Sequence, residues 1–93
     1  MTLLEFADII GKNIEIRYVP GRKEIESGEP APFYCHFEKA SVKDGVFLRS
    51  NFGNGKSPEE AMRNYCADIR GQCLVFDGYQ NRQEYNVPDT LGK

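Results

Sequence analysis

The sequence predicts an α+β domain in which helices pack on one face of an antiparallel sheet. Two segments carry helix-capping residues around an apolar stripe at helical spacing, one near the start and one in the second half of the chain. Other segments alternate apolar and polar residues with a period of two, which is typical of half-buried strands. The expected order is α-β-β-β-α-β(β), with one or two strands after the second helix, in a single domain over residues 1–93.

The composition is that of one ordinary globular domain. The chain has 93 residues, of which 40% are hydrophobic and 28% charged, and its formal net charge is −2. Nucleic-acid-binding proteins are normally clearly basic, so this charge argues against a nucleic-acid coat while leaving room for a local basic patch. No apolar run approaches the roughly 18 residues of a membrane span, and the N-terminus lacks the pattern of a signal peptide. We therefore expect a cytoplasmic protein.

The first half of the chain predicts one helix, a strand and a loop. The helix begins after Thr2, an N-cap with Glu5 three residues later, and ends at Gly11. Residues 13–19 alternate apolar and charged side chains and are predicted to form the first strand. Residues 20–32 are rich in charge, glycine and proline, so we expect a flexible loop, longer than most connections.

Two more strands are predicted before the second helix. Residues 33–38 alternate again, which assigns Phe33, Cys35 and Phe37 to one face and Tyr34, His36 and Glu38 to the other. Residues 40–42 are expected to extend this hairpin, and residues 46–50 form the third strand after a turn at Asp44-Gly45. Gly53 and Gly55 are interpreted as loop glycines with positive φ.

The second helix has the most complete set of local signals. Ser57 is its N-cap, Pro58 takes the first helical position, Glu60 can close a capping box, and Gly71 supplies a left-handed residue after the last turn. Its buried stripe is predicted to be Met62, Tyr65, Cys66 and Ile69, whereas Glu59, Arg63 and Asn64 face water.

The C-terminal part predicts short strands. Residues 74–76 read as a strand, Asp77-Gly78 as a turn, and residues 82–87 as an edge strand ended by Pro88. Whether that edge strand joins the main sheet is left open. Residues 89–93 are expected to fray.

No residue pattern indicates catalysis. Cys35, Cys66 and Cys73 are odd in number and lie at apolar positions, so we expect reduced, buried thiols. Zinc normally needs four ligands at short paired spacings, and here only Cys35 and His36 are adjacent, on opposite faces of a strand. His36 is expected to be a solvent-side residue rather than a base, because no nucleophile with a carboxylate partner can be placed beside it. The sequence predicts no metal, no cofactor and no enzymatic activity.

The central helix carries the nearest family resemblance. Ser57-Pro58-Glu59-Glu60-Ala61 with Asn64 resembles the Thr-x-Glu-Glu-Ala…Asn opening of the helix in HicB-like antitoxin domains, over about residues 33–76. The order α-β-β-β-α, with Gly-x-Gly-x-Ser before the last helix, more loosely resembles a double-stranded-RNA-binding domain over residues 2–70. The lysines that grip phosphate in that family fall here on Pro58, Glu59 and Met62.

The whole chain is also similar to small uncharacterised proteins of tailed bacteriophages and prophages. The similarity consists of a leading helix ending in Gly-Lys, a central Asn-Gly-Lys-Ser-Pro-Glu-Glu-Ala and a closing Arg-x-x-x-x-Val-Pro. It implies a phage or prophage source and says nothing of an activity.

Two functions are weighed from these patterns. The favoured one is a non-enzymatic interaction module that binds a host or phage protein through its sheet face or the loop at 20–32. The alternative is an RNA- or DNA-binding module in which cations grip phosphate and an aromatic ring stacks on a base. The candidate binding residues for either function are Arg22, Lys23, Tyr34, Lys39, Lys43, Arg49, Phe52, Asn54 and Lys56.

Overall fold

The computed structural model describes residues 1–93, which form two helices and seven strands. The helices are α1 (Leu3–Ile10) and α2 (Pro58–Ile69). The strands are β1 (Ile14–Tyr18), β2 (Phe33–Phe37), β3 (Ala40–Asp44), β4 (Phe47–Arg49), β5 (Gly53–Gly55), β6 (Cys73–Phe76) and β7 (Gln83–Asn86). They build a first sheet of order β1-β2-β5 and a second sheet of order β4-β3-β6-β7. The predicted α+β class is confirmed, but the strands divide between two antiparallel sheets instead of joining one.

The chain changes sheets directly after β2. Residues 40–42 were expected to extend the hairpin with β2, and instead they belong to β3, which pairs with β4 and β6. Between the two strands Lys39 adopts a left-handed conformation, with φ of 60°. That conformation is uncommon for a residue other than glycine, so the sequence gives no signal for the change of direction.

Both predicted helix starts are confirmed in their main features. Thr2 accepts a hydrogen bond from the Glu5 N–H at 3.1 Å and donates its own N–H to the Glu5 carboxylate at 3.0 Å, which completes a capping box. These bonds lower the pKa of Glu5, chiefly through the Thr2 backbone N–H. Ser57 accepts from the Glu60 N–H at 3.1 Å, but the return bond from the Ser57 N–H to the Glu60 carboxylate is missing, so α2 has only half of the predicted box.

The predicted buried stripe of α2 is largely confirmed. Tyr65, Cys66 and Ile69 are buried, whereas Met62 is half-buried and the position beside it, Ala61, is fully enclosed. The helix ends before Gly71, whose φ of 69° supplies the predicted left-handed turn.

The prediction that Gly53 and Gly55 are loop residues with positive φ is wrong. Gly53 and Gly55 belong to β5, which pairs with β2, and neither has a positive φ. A Cβ atom at Gly53 would lie 2.1 Å from the carbonyl oxygen of Ala61 and 2.3 Å from the backbone nitrogen of Tyr65. Glycine is needed here because the backbone of α2 lies directly against the backbone of β5.

One core joins both sheets and both helices around Phe37. The Phe37 ring contacts Phe6 of α1 and Tyr65 of α2, each at 6.1 Å between ring centroids, and Phe76 of β6 at 5.7 Å. Phe37 lies past the part of β2 that pairs with β5, and its N–H donates to the Tyr65 hydroxyl at 3.1 Å. Tyr65 thereby takes the place of a neighbouring strand. Burial raises the pKa of Tyr65 to about 12.

The C-terminal strands are confirmed and the fraying tail is not. β6 lies between β3 and β7, so the predicted edge strand belongs to the second sheet and pairs with β6. Residues 89–93 were expected to fray, but the Leu91 side chain is fully buried in the core and the Gly92 N–H donates to the Met1 carbonyl at 2.8 Å. The Arg70 guanidinium also donates to the Leu91 carbonyl. The tail is held because Leu91 completes the core.

Residues 20–32 continue the β1–β2 hairpin beyond the sheet. The Val19 N–H donates to the Pro32 carbonyl at 2.7 Å, the Ala31 N–H to the Arg22 carbonyl at 3.0 Å and the Glu24 N–H to the Glu29 carbonyl at 2.9 Å. The segment is therefore a backbone-paired extension rather than an unpaired loop, and its flexibility stays a prediction. Neither helix has the length and apolar character of a membrane span.

Removing the cap of α2 should destabilise the protein. We expect Ser57→Ala to lower the free energy of unfolding by about 1 kcal/mol, because the Glu60 N–H loses its acceptor. Urea unfolding measures the change. Ser50→Ala, at an exposed position outside the elements, serves as the control and should change it by less than about 0.5 kcal/mol. Equal effects of the two substitutions would contradict the assigned helix start.

Adding a methyl group at the β5–α2 contact should be far more damaging. We expect Gly53→Ala to lower the free energy of unfolding by about 3 kcal/mol or more, because its Cβ meets backbone atoms that cannot rotate away. Gly21→Ala is the matched control, since a Cβ there meets nothing within 4 Å and only the φ of 79° is strained. That strain should cost about 1 kcal/mol. A Gly53 variant as stable as the Gly21 variant would disprove the close contact.

Candidate functional site

The fold leaves one face of the first sheet without a covering layer. α2 packs on the side that carries Cys35 and Gly53. The cross-strand pairs Glu15↔His36, Arg17↔Tyr34 and Tyr34↔Asn54 fix which side chains share the opposite side. We call that side the outer face, and its strand residues are Glu15, Arg17, Tyr34, His36 and Asn54.

Aromatic rings gather on the outer face. Tyr34 and His36 stack with their ring centroids 5.9 Å apart, and Phe52, from the segment before β5, meets both rings edge-on at 5.6 Å and 4.9 Å. We call these three residues the aromatic cluster. Phe52 is 43% exposed, so the cluster presents apolar surface to solvent mainly through this ring.

Arg22 connects the aromatic cluster to the hairpin extension at 20–32. Its guanidinium lies 4.9 Å from the centre of the Tyr34 ring, which is within the range of a cation–π contact. The same group donates to the side-chain oxygen of Asn54 at 2.5 Å and to the Ala31 carbonyl at 3.3 Å. The sheet face and the 20–32 segment, predicted as alternative binding surfaces, therefore form one continuous surface.

An oxygen atom lies near each ring nitrogen of His36. Its Nδ1 lies 2.9 Å from the Phe37 carbonyl oxygen, and its Nε2 lies 3.6 Å from the Glu15 carboxylate. Glu15 also pairs with Arg17, and that hydrogen bond is the main reason that the pKa of Arg17 is raised. The imidazole is thus part of this surface, with a carboxylate and a carbonyl as its polar neighbours.

The predicted cations do not gather around the aromatic cluster. Three of them lie within 4 Å of a carboxylate: Lys43 beside Glu84 at 3.4 Å, Arg49 beside Asp44 at 3.8 Å and Lys56 beside Glu29 at 3.6 Å. Lys43 and Arg49 are on the second sheet, Lys39 is in the turn between the sheets, and Lys23 is in the hairpin extension. The structure therefore brings together Arg22, Tyr34, Phe52 and Asn54, and it separates these four from most of the predicted lysines.

The side of the aromatic cluster at Phe52 carries two carboxylates. An open depression of about 340 Å³ beside Phe52 is lined by Glu24, Phe52, Asn54, Asn64, Ala67 and Asp68. Its two carboxylates, Glu24 and Asp68, repel phosphate and attract a cationic side chain. The Asn64 side chain donates to the Asn54 carbonyl at 2.6 Å, which joins α2 to β5 beside this depression.

The cysteines lie away from the outer face and are not activated. All three thiols are free, and Cys35 and Cys66 are buried as predicted, whereas Cys73 is half-buried. Burial raises the pKa of Cys35 to about 12 and also raises the pKa values of Cys66 and Cys73. The side chains of the chain form no group of three or more metal-binding residues.

His36, Glu15 and Arg17 are the members of this surface that sequence reasoning missed. The period of two already placed Tyr34 and His36 on one face, so His36 could have been included with Tyr34. Glu15 and Arg17 required the register of the β1–β2 hairpin, which depends on how residues 20–32 fold. A loop of that length does not reveal its register in the sequence.

Comparison of the chain with family models, with curated proteins and with solved structures finds no match. The resemblances to HicB-like domains, to double-stranded-RNA-binding domains and to phage proteins therefore stay predictions.

The thiols provide a chemical check of this arrangement. We expect a thiol-reactive dye at pH 8 to label Cys73 first in the native protein, because Cys35 and Cys66 are enclosed and held as thiols. All three should react in denaturant. Cys73→Ser is the control variant and should leave no rapidly reacting thiol. Fast labelling of Cys35 in the native state would contradict the packing of α2 on the first sheet.

Proposed function

We propose that the protein is a small non-enzymatic interaction module that binds another protein through the outer face of its first sheet. The observation that carries the proposal is the aromatic cluster beside Arg22, on a sheet face that the fold does not cover. Protein interfaces are enriched in aromatic residues and arginine, and these residues supply most of the binding energy.

The contacts of the cluster favour binding without rearrangement. Tyr34 contacts both Arg22 and His36, and Arg22 donates hydrogen bonds to Asn54 and Ala31. Because these side chains already contact one another in the free protein, they lose little conformational entropy when a partner binds. Phe52, the most exposed ring, is the natural anchor for a pocket on the partner.

The charges around the cluster favour a protein over a nucleic acid. Glu24 and Asp68 line the depression beside Phe52, and their negative charges repel a phosphate group that enters it. A lysine or arginine of a partner protein fits the same place, since its charge is opposite. Lys43, Arg49 and Lys56 each have a carboxylate neighbour, which weakens the predicted phosphate contacts.

Single-stranded RNA or DNA is the second candidate, because contacting aromatic rings on a sheet also form a stacking platform for bases. In either case we propose that the protein acts in the cytoplasm of a bacterial host and is encoded by a phage or prophage. The HicB-like opening of α2 supports a protein partner rather than a reaction.

The proposal is tested by capture of a partner from nuclease-treated bacterial lysate, with the tagged full chain as bait. We expect the double variant Tyr34→Ala/Phe52→Ala to bind the captured protein about 30-fold more weakly than the unmodified chain, since a central aromatic anchor contributes about 2 kcal/mol. Phe47→Ala removes an exposed ring from the second sheet and serves as the matched control. Both variants should keep the native circular dichroism spectrum.

Two results would contradict the proposal. One is a partner that is lost with Phe47→Ala and kept with the double variant. The other is binding of single-stranded oligonucleotides much tighter than the nonspecific range of about 10⁻⁴ to 10⁻⁶ M at physiological salt, abolished by the double variant. The second result would assign the aromatic cluster to nucleic acid.

A further inference from the structure

β1 is an edge strand of the first sheet, and it pairs only with β2. It has five residues, no proline and no bulge in its register with β2. Edge strands of soluble proteins normally carry a device that prevents pairing with another chain, such as a proline, a bulge or an inward-pointing charge. β1 has none of these three, and its charged side chains, Glu15 and Arg17, lie on the outer face and leave the backbone edge open to a further strand.

The register of β1 shows which backbone groups point away from the sheet. The Glu38 N–H donates to the Asn13 carbonyl, and the Val19 N–H donates to the Pro32 carbonyl. Hydrogen-bonded and free positions alternate in an antiparallel ladder, so Glu15 and Arg17 bond to β2. The N–H and C=O groups of Ile14, Ile16 and Tyr18 therefore face outward, and no turn, loop or cap hydrogen bond of the backbone reaches them.

The side chains of β1 are complementary to a second copy of the same strand. Two β1 strands can pair antiparallel about a two-fold axis at Ile16. In that register, Ile16 of one copy lies opposite Ile16 of the other, and Ile14 of each copy lies opposite Tyr18 of the other. This register forms about six backbone hydrogen bonds. It also sets Glu15 opposite Arg17 of the second copy, and Arg17 opposite Glu15, at the closely spaced positions of the ladder.

α2 covers the inner side of β2 and β5 but not that of β1. α2 packs on β5 and β2, which leaves Ile16 38% exposed and Tyr18 60% exposed although both point to the side of the core. Ile16, Tyr18 and Phe33 form an apolar strip on this side of the sheet, in which the Tyr18 and Phe33 ring centroids are 5.0 Å apart. A second β1 would bring its own Ile16 and Tyr18 onto the same strip.

We propose that the protein forms a two-fold symmetric dimer by antiparallel pairing of β1 with β1 of a second copy. The dimer contains one continuous six-stranded sheet, with the apolar strips of both chains on the side of the α2 helices. Both outer faces then lie side by side on the opposite surface. The inference does not depend on the proposed function, because it rests on the edge of the sheet and not on the aromatic cluster.

Sedimentation equilibrium of the full chain tests the dimer. The unmodified protein should show a concentration-dependent mass that rises toward twice 10.6 kDa. Glu15→Arg alone and Arg17→Glu alone should each weaken dimerisation by about tenfold or more, because each places like charges opposite one another. An equimolar mixture of the two variants should recover the dimer, since the strand with two arginines then faces the strand with two glutamates.

A backbone variant and a control complete the experiment. Ile16→Pro removes an outward N–H without removing a bond to β2, so it should weaken the dimer while the chain stays folded. Arg49→Glu on the edge strand of the second sheet should leave the dimer unchanged. A mass that stays at 10.6 kDa at millimolar concentration, or a mixture no more dimeric than its components, would overturn the proposal. Loss of the dimer with Arg49→Glu would also overturn it.

Discussion

α2 can lie against the first sheet only because two residues of β5 have no side chain on the side facing it. A Cβ at Gly53 or Gly55 would come within 2.6 Å of backbone atoms of the helix. This contact sets how close α2 lies to β2, and so it decides whether the Tyr65 hydroxyl reaches the Phe37 N–H. Phe37 in turn joins α1 and the second sheet through its ring contacts with Phe6 and Phe76. The single core therefore depends on two glycines.

The same packing explains where the surface is left free. α2 and the core occupy the inner side of β2 and β5, so Tyr34 and His36 lie on the side without a covering layer. There both rings contact Phe52, Tyr34 also contacts Arg22, and His36 lies beside Glu15. α2 does not extend over β1, and this leaves the apolar side of Ile16 and Tyr18 partly exposed. The outer face and the β1 edge are two distinct consequences of placing one helix over the far strands of a three-stranded sheet.

The features that could be predicted are those with local causes. Thr2, Ser57 and Gly71 act on residues within one helical turn, so the ends of both helices were readable from the sequence. The division into two sheets could not be predicted, because it depends on a left-handed Lys39 and on β3 pairing with β6, which is more than 30 residues away in the chain.

The candidate surface could also be predicted only in part. Tyr34, Phe52, Asn54 and Arg22 were named from residue type and strand period, and the structure brings them into contact. The cations were grouped by their closeness in sequence, and this grouping does not hold in space: Lys43 has its carboxylate neighbour on β7 and Lys56 has one in the hairpin extension. Leu91 was assigned to a fraying tail because nothing in its neighbours shows that the core has room for it.

The close contact between β5 and α2 can be measured directly by nuclear Overhauser spectroscopy of the labelled protein. We expect strong cross-peaks from the Gly53 α-protons to the backbone and β-protons of Ala61 and Tyr65, because these backbones are in contact. Cross-peaks from Gly53 to β2 protons alone, with none to α2, would place the helix elsewhere. That result would contradict the shared core, the uncovered outer face and the exposed strip along β1 together.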